Sequence, residues 1–364
     1  MNPVRTLLIL TCAFCFCTLT AQNNPGIGIN GYQGVLWAHR TSMAHLAAPT
    51  KGFEIVYTVK TGKGKDWCEL YRFPRMGISV SYLDLGKKDL TGYSIGILPH
   101  IEFALFERKN IEFSWRLSSG VGYLNKKWDL HTNNTHKAIG SHLNGNMRSH
   151  LIVHARLGKR LELNFGAGVT HYSNGNFRLP NLGINTIEYL VGISAFREDR
   201  NYTKPNAKQY ARKHLITRVL DFTISAATRE TNLVYSKRIY PFAFSANAMW
   251  HLGPRSRWGL GADVFYDKAH IFRDNPADLE LPNTTANSLE AGVKICHELV
   301  ISRFSLITEA ALYVYKPSDY KTKYYQRVGF KYQISDKIFV KTTLKALLTA
   351  ADYYEWGLGY RISR

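Results

Sequence analysis

A run of ten residues predicts the fold; it reads Leu161-Glu162-Leu163-Asn164-Phe165-Gly166-Ala167-Gly168-Val169-Thr170. Its odd-numbered positions are all apolar, and its even-numbered positions are polar or glycine. Such alternation is typical of a β-strand with one apolar face. About ten residues is also the length with which a tilted strand crosses a bilayer. The run therefore predicts a transmembrane strand, with odd positions facing lipid and even positions facing a barrel lumen.

The same alternation recurs along the chain, separated by turn residues. We predict sixteen strands, at residues 28–38, 51–60, 75–85, 92–106, 111–124, 146–157, 160–173, 185–196, 214–226, 235–249, 257–267, 286–298, 304–315, 324–334, 338–348 and 353–362. An even number of antiparallel strands is the rule in single-chain bacterial barrels. The predicted fold class is therefore all-β, a single transmembrane antiparallel β-barrel of about 14–16 strands.

Two other folds are compatible with this pattern. A soluble all-β protein also has one apolar face per strand, but aromatic residues gather near the strand ends here, as in the interfacial girdles of membrane barrels. The second possibility is an eight-stranded barrel followed by a second β domain after about residue 200, since the polar stretch 197–213 is where two halves would meet.

Composition and the N-terminus predict the compartment. Residues 7–19 are an apolar run that follows Arg5 and precedes Ala21, as in a secretory signal peptide, so we predict cleavage after 1–21 and an outer-membrane barrel over 22–364. No other apolar run approaches the ~20 residues of a membrane-spanning helix. The net charge of +20, which becomes +19 without the signal peptide, suits an anionic partner. Aromatic residues make up 13% of the chain, which argues against a disordered protein.

A polar segment interrupts the alternation between two of these strands. It reads His171-Tyr172-Ser173-Asn174-Gly175-Asn176-Phe177-Arg178-Leu179-Pro180-Asn181-Leu182-Gly183-Ile184-Asn185. Parity places His171, Ser173 and Asn185 on the lipid-facing side at one rim, where polar side chains are unfavourable unless they have a task. A serine becomes a nucleophile beside a base, and a third group orients that base. The segment therefore predicts a catalytic site.

The pattern His171-x-Ser173-Asn174 followed by Pro180-Asn181-x-Gly183-Ile184 resembles the signature of the outer-membrane lipid A 3-O-deacylases, the PagL-like acyloxyacyl hydrolases. Residues 28–196 are similar to the long Bacteroidetes members of that family, and 197–364 are additional strands without a counterpart in the short members. The resemblance implies a carboxylic ester hydrolase that acts on lipid A in the outer membrane and needs no cofactor.

The resemblance also implies roles for individual residues. Ser173 is the expected nucleophile and His171 its general base, while Asn181 and a backbone N–H near Gly175 stabilise the oxyanion. The family has an acidic residue where this sequence has Asn185. An Asn carbonyl can still accept a hydrogen bond from the imidazole, so a lower rate is expected rather than a different reaction.

The remaining expectations concern partners. Arg178 and Asn174 are expected to bind lipid A, whose phosphates would attract basic side chains. We expect no nucleic-acid partner and find no spacing typical of a metal site. A disulfide between Cys68 and Cys296 is possible. Histidines in or beside 125–145 are expected to be solvated. A non-catalytic channel or binding barrel and a phospholipase A-type esterase are the competing functions.

Overall fold

The computed structural model describes residues 24–62, 65–197, 218–231, 237–269, 284–317, 322–348 and 350–363. The predicted signal peptide, 1–21, lies outside the described residues. The chain divides into two compact units. The first unit contains residues 1–174 and 180–207, and the second contains 175–179 and 208–364.

The first unit is a closed antiparallel barrel of eight strands. Its strands are β1 (Asn24–Leu36), β2 (Ala48–Lys60), β3 (Arg75–Asp84), β4 (Tyr93–Arg108), β5 (Ile111–Leu124), β6 (Leu143–Leu157), β7 (Leu161–Ser173) and β8 (Ile184–Phe196). Each strand pairs with the next along the chain, and β1 closes the barrel against β8, with Ile29 opposite Ile193. A 3₁₀ helix (Thr41–Leu46) lies between β1 and β2, and helix α1 (Asp66–Leu70) between β2 and β3.

The second unit contains another closed antiparallel barrel of eight strands. Its strands are β9 (Arg218–Ala227), β12 (Phe242–Gly253), β13 (Ser256–Tyr266), β14 (Leu289–Ile301), β15 (Phe304–Tyr315), β16 (Tyr324–Gln333), β17 (Ile338–Leu347) and β18 (Ala350–Ser363). Strand β18 closes the barrel against β9, with Leu358 opposite Ile224. A small two-stranded sheet, β10 (Arg229–Glu230) with β11 (Arg238–Ile239), and helix α2 (Thr285–Ser288) lie outside the barrel strands.

The prediction of an all-β antiparallel barrel is confirmed, and all sixteen predicted strands correspond to strands of the two barrels. The prediction of a single barrel is wrong, and the alternative of an eight-stranded barrel followed by a second β domain is the one observed. The physical reason is that alternation reports only which face of a strand is apolar. It does not report that β8 returns to β1 instead of pairing with β9.

The predicted faces are also observed. In β7, Leu161, Phe165 and Val169 are exposed on the outside of the barrel, whereas Glu162 and Asn164 are buried inside. An exposed, continuous apolar outer surface is unfavourable in water and is the expected surface of a barrel in lipid.

Ion pairs fill the interior of the first barrel. The Arg75 guanidinium lies 2.9 Å from a Glu112 carboxylate oxygen and 2.6 Å from one of Glu162. Arg116 similarly bridges Glu54 and Glu102, at 3.0 and 2.8 Å. All six side chains are nearly inaccessible to solvent. Because a buried charge without a partner is strongly destabilising, these pairs hold opposite walls of the barrel in register.

Buried ion pairs also fill the interior of the second barrel. Arg327 contacts Asp263 at 2.7 Å, Glu309 at 3.2 Å and Glu355 at 2.6 Å. Lys294 lies 2.9 Å from both Asp263 and Glu309. An eight-stranded barrel has an interior just wide enough for side chains to fill. Both interiors are therefore packed with charged side chains that neutralise each other.

The helices and cysteines contribute little to this architecture. Within the described ranges, no helix combines the length and the apolar character that spanning a membrane requires. Cys68 in α1 and Cys296 in β14 are both buried free thiols, so the disulfide considered from the sequence is not formed.

Candidate active site

Two adjacent strands of the first barrel bring three of the predicted residues to one rim. Strand β7 ends at Ser173, β8 begins at Ile184, and His171 is the residue directly opposite Asn185 across the two strands. Side chains of directly opposed residues have Cβ atoms about 4.5–5.5 Å apart. His171 and Ser173 share a strand face because they are two residues apart. The register, rather than the loop, therefore assembles this part of the site.

The imidazole of His171 is held from behind by Asn185. His171 Nδ1 and Asn185 Oδ1 are 2.6 Å apart. Since Oδ1 can only accept, this contact requires a proton on Nδ1, so Nε2 is the unprotonated nitrogen of the neutral ring. That tautomer is the one a general base needs.

Asn185 is in turn held on two sides by the loop that follows β1. The side-chain Nδ2 of Asn185 lies 2.9 Å from His39 Nδ1. The backbone carbonyl oxygen of Asn185 accepts from the Trp37 backbone N–H at 2.9 Å. The rings of Trp37 and His39 pack edge to face, with centroids 6.2 Å apart.

Asn181 holds the hydroxyl of Ser173. Asn181 Nδ2 donates to Ser173 Oγ at 3.0 Å, and Asn181 Oδ1 accepts from the backbone N–H of Asn174 at 2.9 Å. The amide is therefore oriented by its acceptor side, and its donor side points at the serine oxygen. Ser173 is only 2% exposed, so this contact is shielded from water. A fixed donor beside a serine oxygen has the chemistry of an oxyanion-stabilising group.

The long loop at 125–142 packs on the site. The Gly183 N–H donates to Ala138 O at 2.9 Å, and Asn174 Nδ2 donates to Ser141 Oγ at 2.7 Å. Gly183 has φ +82°, and a Cβ there would lie 2.8 Å from His171 Cε1. Glycine is therefore required at this position both by its backbone and by the close approach of the imidazole.

The loop histidines differ from the expectation that all are solvated. His131 is exposed, but His136 is fully buried beside Ala138, and burial lowers the pKa of His136 to about 4. His150 belongs to β6 rather than the loop, and it contacts Glu188 at 3.0 Å inside the barrel. That contact also places Glu188 in the lumen, on the face opposite His171, as parity predicts.

Gly175 and Arg178, also predicted at the site, belong to the segment 175–179 of the second unit. In that unit the Leu179 N–H donates to a Glu230 carboxylate at 2.9 Å. Asn176 Nδ2 donates to the carbonyl of Ala351 at 2.6 Å, and the side chain of Arg178 is exposed. Gly175 and Asn176 both have φ +58°, so the segment turns sharply immediately after Asn174.

Two other clusters have chemically suggestive residue types. Glu102, Glu112 and His154 approach one another within 4.8 Å among the described residues, but both carboxylates already pair with Arg75. In the second barrel, Ser256 Oγ lies 3.0 Å from His297 Nε2. The other nitrogen of His297 contacts the hydroxyl of Thr308 at 3.2 Å, so an amide or carboxylate does not orient this ring through that contact.

His39 and Ser141 are the neighbours of the site that the sequence did not indicate. His39 lies 146 positions from Asn185 along the chain, and Ser141 lies 33 from Asn174. No spacing rule connects such residues. The only available signal for His39 was its place just beyond the end of β1, at the same rim as the end of β7.

Two protein-family models match the chain. Residues 51–194 match the family model "Lipid A 3-O-deacylase (PagL)", and residues 218–364 match "Acyloxyacyl hydrolase, C-terminal domain". The first match contains His171, Ser173, Asn181 and Asn185, and it lies within the first barrel. No curated protein matches the chain.

Several solved structures are similar to this chain. The outer membrane enzyme PagL is 16% identical, with a TM-score of 0.31 over 45% of this chain and 97% of that one. Neisserial surface protein A is 12% identical, with a TM-score of 0.32 over 48% of this chain and 99% of that one. The toluene transporter TodX of Pseudomonas putida is 9% identical, with a TM-score of 0.19 over 100% of this chain and 92% of that one.

Proposed function

The chain belongs to the lipid A 3-O-deacylase family of ester hydrolases, and on that premise we propose that it removes an ester-linked acyl chain from lipid A in the outer membrane by a Ser-His-Asn mechanism. The observation that carries the mechanism is the 2.6 Å contact between His171 Nδ1 and Asn185 Oδ1, on the strand face that Ser173 shares. It leaves Nε2 of His171 available as a base at the rim of the first barrel.

The first half of the reaction transfers the acyl group to the enzyme. His171 Nε2 takes the proton from Ser173 Oγ as this oxygen attacks the ester carbonyl carbon. The tetrahedral intermediate collapses by breaking the bond to the sugar oxygen, which leaves with the proton that His171 returns. Asn185 Oδ1 stabilises the imidazolium that exists between these two transfers, although less strongly than a carboxylate would.

The second half returns the enzyme to its starting state. His171 takes a proton from water, the hydroxide attacks the acyl-serine, and Ser173 Oγ recovers the proton as the fatty acid leaves. In both halves the oxyanion is stabilised by Asn181 Nδ2, which turns from the serine oxygen to the developing charge, and by a backbone N–H near Gly175. The steps balance without a cofactor.

The position of the nucleophile suits a lipid substrate. Ser173 ends a strand whose outward residues are apolar, so it lies where the acyl chains of a membrane lipid meet the headgroup region. Arg178, which is exposed, and Asn174 are the proposed contacts to the anionic headgroup. Delivery to the outer membrane by a signal peptide at 1–21 belongs to the same proposal.

The competing functions are less well supported. A channel needs an open lumen, whereas buried ion pairs fill the described interior of each barrel. A phospholipase A-type esterase would use the same serine and histidine, so it is distinguished by product rather than by geometry. The family match favours lipid A.

Mass spectrometry of lipid A from cells that express the protein tests the proposal. Wild type should yield lipid A lacking one acyl chain. Ser173→Ala and His171→Ala should yield unmodified lipid A, and Asn185→Ala should yield a mixture. Assembly of each variant is followed by its folded, heat-modifiable band on a gel.

Two results would overturn the proposal. Deacylation by Ser173→Ala would remove Ser173 as the nucleophile. Release of fatty acid from glycerophospholipid vesicles, with lipid A unchanged, would replace the substrate with a phospholipid.

A further inference from the structure

The side-chain amide of Asn185 can present either an acceptor or a donor to His171, the proposed base. Its oxygen accepts a hydrogen bond and its nitrogen donates one, whereas both oxygens of a carboxylate accept. If the Asn185 side chain were turned by 180°, Nδ2 would face His171 Nδ1 and favour the tautomer with the proton on Nε2. That tautomer cannot take a proton from Ser173. A site that uses Asn in this role therefore needs something to fix the orientation of the amide.

His39 is placed to fix the orientation of the Asn185 amide. Its Nδ1 lies 2.9 Å from Asn185 Nδ2, on the opposite end of the amide from His171. When His39 Nδ1 is unprotonated it accepts from the Nδ2 group, and Oδ1 must then face His171. The backbone carbonyl of Asn185 is held separately by the Trp37 N–H at 2.9 Å, so His39 acts on the side chain alone.

We propose that His39 is a positioning residue that orients the Asn185 amide and thereby selects the catalytic tautomer of His171. This inference rests on the proposed function, because it assumes that His171 is the base. The order of hydrogen bonds is His171 Nδ1–H to Asn185 Oδ1, and Asn185 Nδ2–H to His39 Nδ1. His39 touches neither Ser173 nor the substrate in this scheme.

The proposal predicts the activity of two variants of His39. His39→Ala removes the acceptor, so kcat for lipid A deacylation should fall about tenfold with KM unchanged, as expected for the loss of one orienting hydrogen bond. His39→Asn should restore most of the activity, because Asn Oδ1 occupies nearly the position of His Nδ1 and can accept the same bond. His142→Ala is the matched control, a rim histidine whose Nδ1 contacts the Leu124 carbonyl instead.

The decisive experiment combines these changes with Asn185→Asp. Both oxygens of a carboxylate accept hydrogen bonds, so its orientation does not affect the tautomer of His171. His39→Ala in the Asn185→Asp background should therefore change kcat less than about twofold. An equal loss in both backgrounds would mean that His39 only supports the local structure, and the proposal would be wrong. Failure of His39→Asn to restore activity would also overturn it.

The outcome is separable from that of the proposed function. Ser173→Ala is purified and assayed in the same way as the His39 variants. If Ser173→Ala is inactive and His39→Ala is fully active, the reaction stands and the inference about His39 fails. If Ser173→Ala retains activity, the proposed mechanism fails first and the assignment of His39 fails with it.

Discussion

The two barrels have the same construction, but a candidate site is found at the rim of only the first among the residues described. Each has eight antiparallel strands, an apolar exterior and an interior of paired charges. Ten residues of the chain join β7 to β8, and Asn181 and Gly183 are among those that belong to the first unit. The corresponding last two strands of the second barrel, β17 and β18, are joined by only two residues. The proposed chemistry therefore depends on this rim segment together with the register of β7 and β8.

Each barrel also contains a serine near a histidine, which makes the contrast sharper. Ser256 and His297 in the second barrel are within hydrogen-bond distance. His171 in the first barrel has an amide behind its ring, and Ser173 has the amide of Asn181 beside it. A base that is oriented and a donor for the oxyanion distinguish a catalytic pair from a structural one.

The largest expected effect tests that distinction directly. His171→Ala should lower kcat/KM for deacylation by about 10²–10⁴-fold, the usual contribution of a general base. His297→Ala should leave kcat/KM unchanged. Fatty acid release from purified lipid A in detergent measures both. Equal losses in the two variants would contradict the assignment of the site to the first barrel.

The buried ion pairs test whether the two interiors are energetically alike. Arg75→Met in the first barrel and Arg327→Met in the second each leave buried carboxylates without their guanidinium. Each should lower the free energy of unfolding by about 3–5 kcal/mol. Urea unfolding in lipid vesicles, with a surface substitution such as Lys51→Met as the control, gives the values. A change below 1 kcal/mol in one barrel would show that its charges are solvated.

Asn181 separates the oxyanion role from a structural one. Asn181→Asp keeps the oxygen that accepts from the Asn174 N–H but removes the donor to Ser173. We therefore expect Asn181→Asp and Asn181→Ala each to lower kcat by about 10²–10³-fold. Steady-state kinetics at saturating lipid A provide the comparison. An Asp variant close to wild type would mean that Asn181 holds the loop and donates nothing to the oxyanion.

The smallest effect concerns the loop at 125–142, which packs on the site of the first barrel. Burial lowers the pKa of His136 to about 4, below the value of an unfolded histidine near 6.5. The opened loop thus binds a proton that the packed loop does not, so packing should weaken as pH falls from about 6.5 to about 4, by at most about 1.4 kcal/mol per unit. Hydrogen exchange of 125–142 measures this. His136→Leu should remove the pH dependence, and a persistent dependence would assign it to another group.

A large part of the architecture could be predicted from the sequence because lipid imposes a simple rule on each strand. Alternation at 161–170 predicted the strand and both of its faces, and the same pattern located all sixteen barrel strands. The partner of each closing strand is a long-range choice that alternation does not encode. The sequence therefore left one large barrel and an eight-stranded barrel with a second domain both open, and the pairing of β1 with β8 decides between them.

The candidate site could also be predicted only in part from the sequence. Parity predicted a shared outward face for His171, Ser173 and Asn185, because strand parity is a local property of the backbone. Three contacts could not be read from parity: Asn185 lies directly opposite His171, His39 reaches the Asn185 amide, and Ser141 holds Asn174. The first contact depends on the register of β7 and β8, the second on the closure of β1 against β8, and the third on loops that meet at the rim.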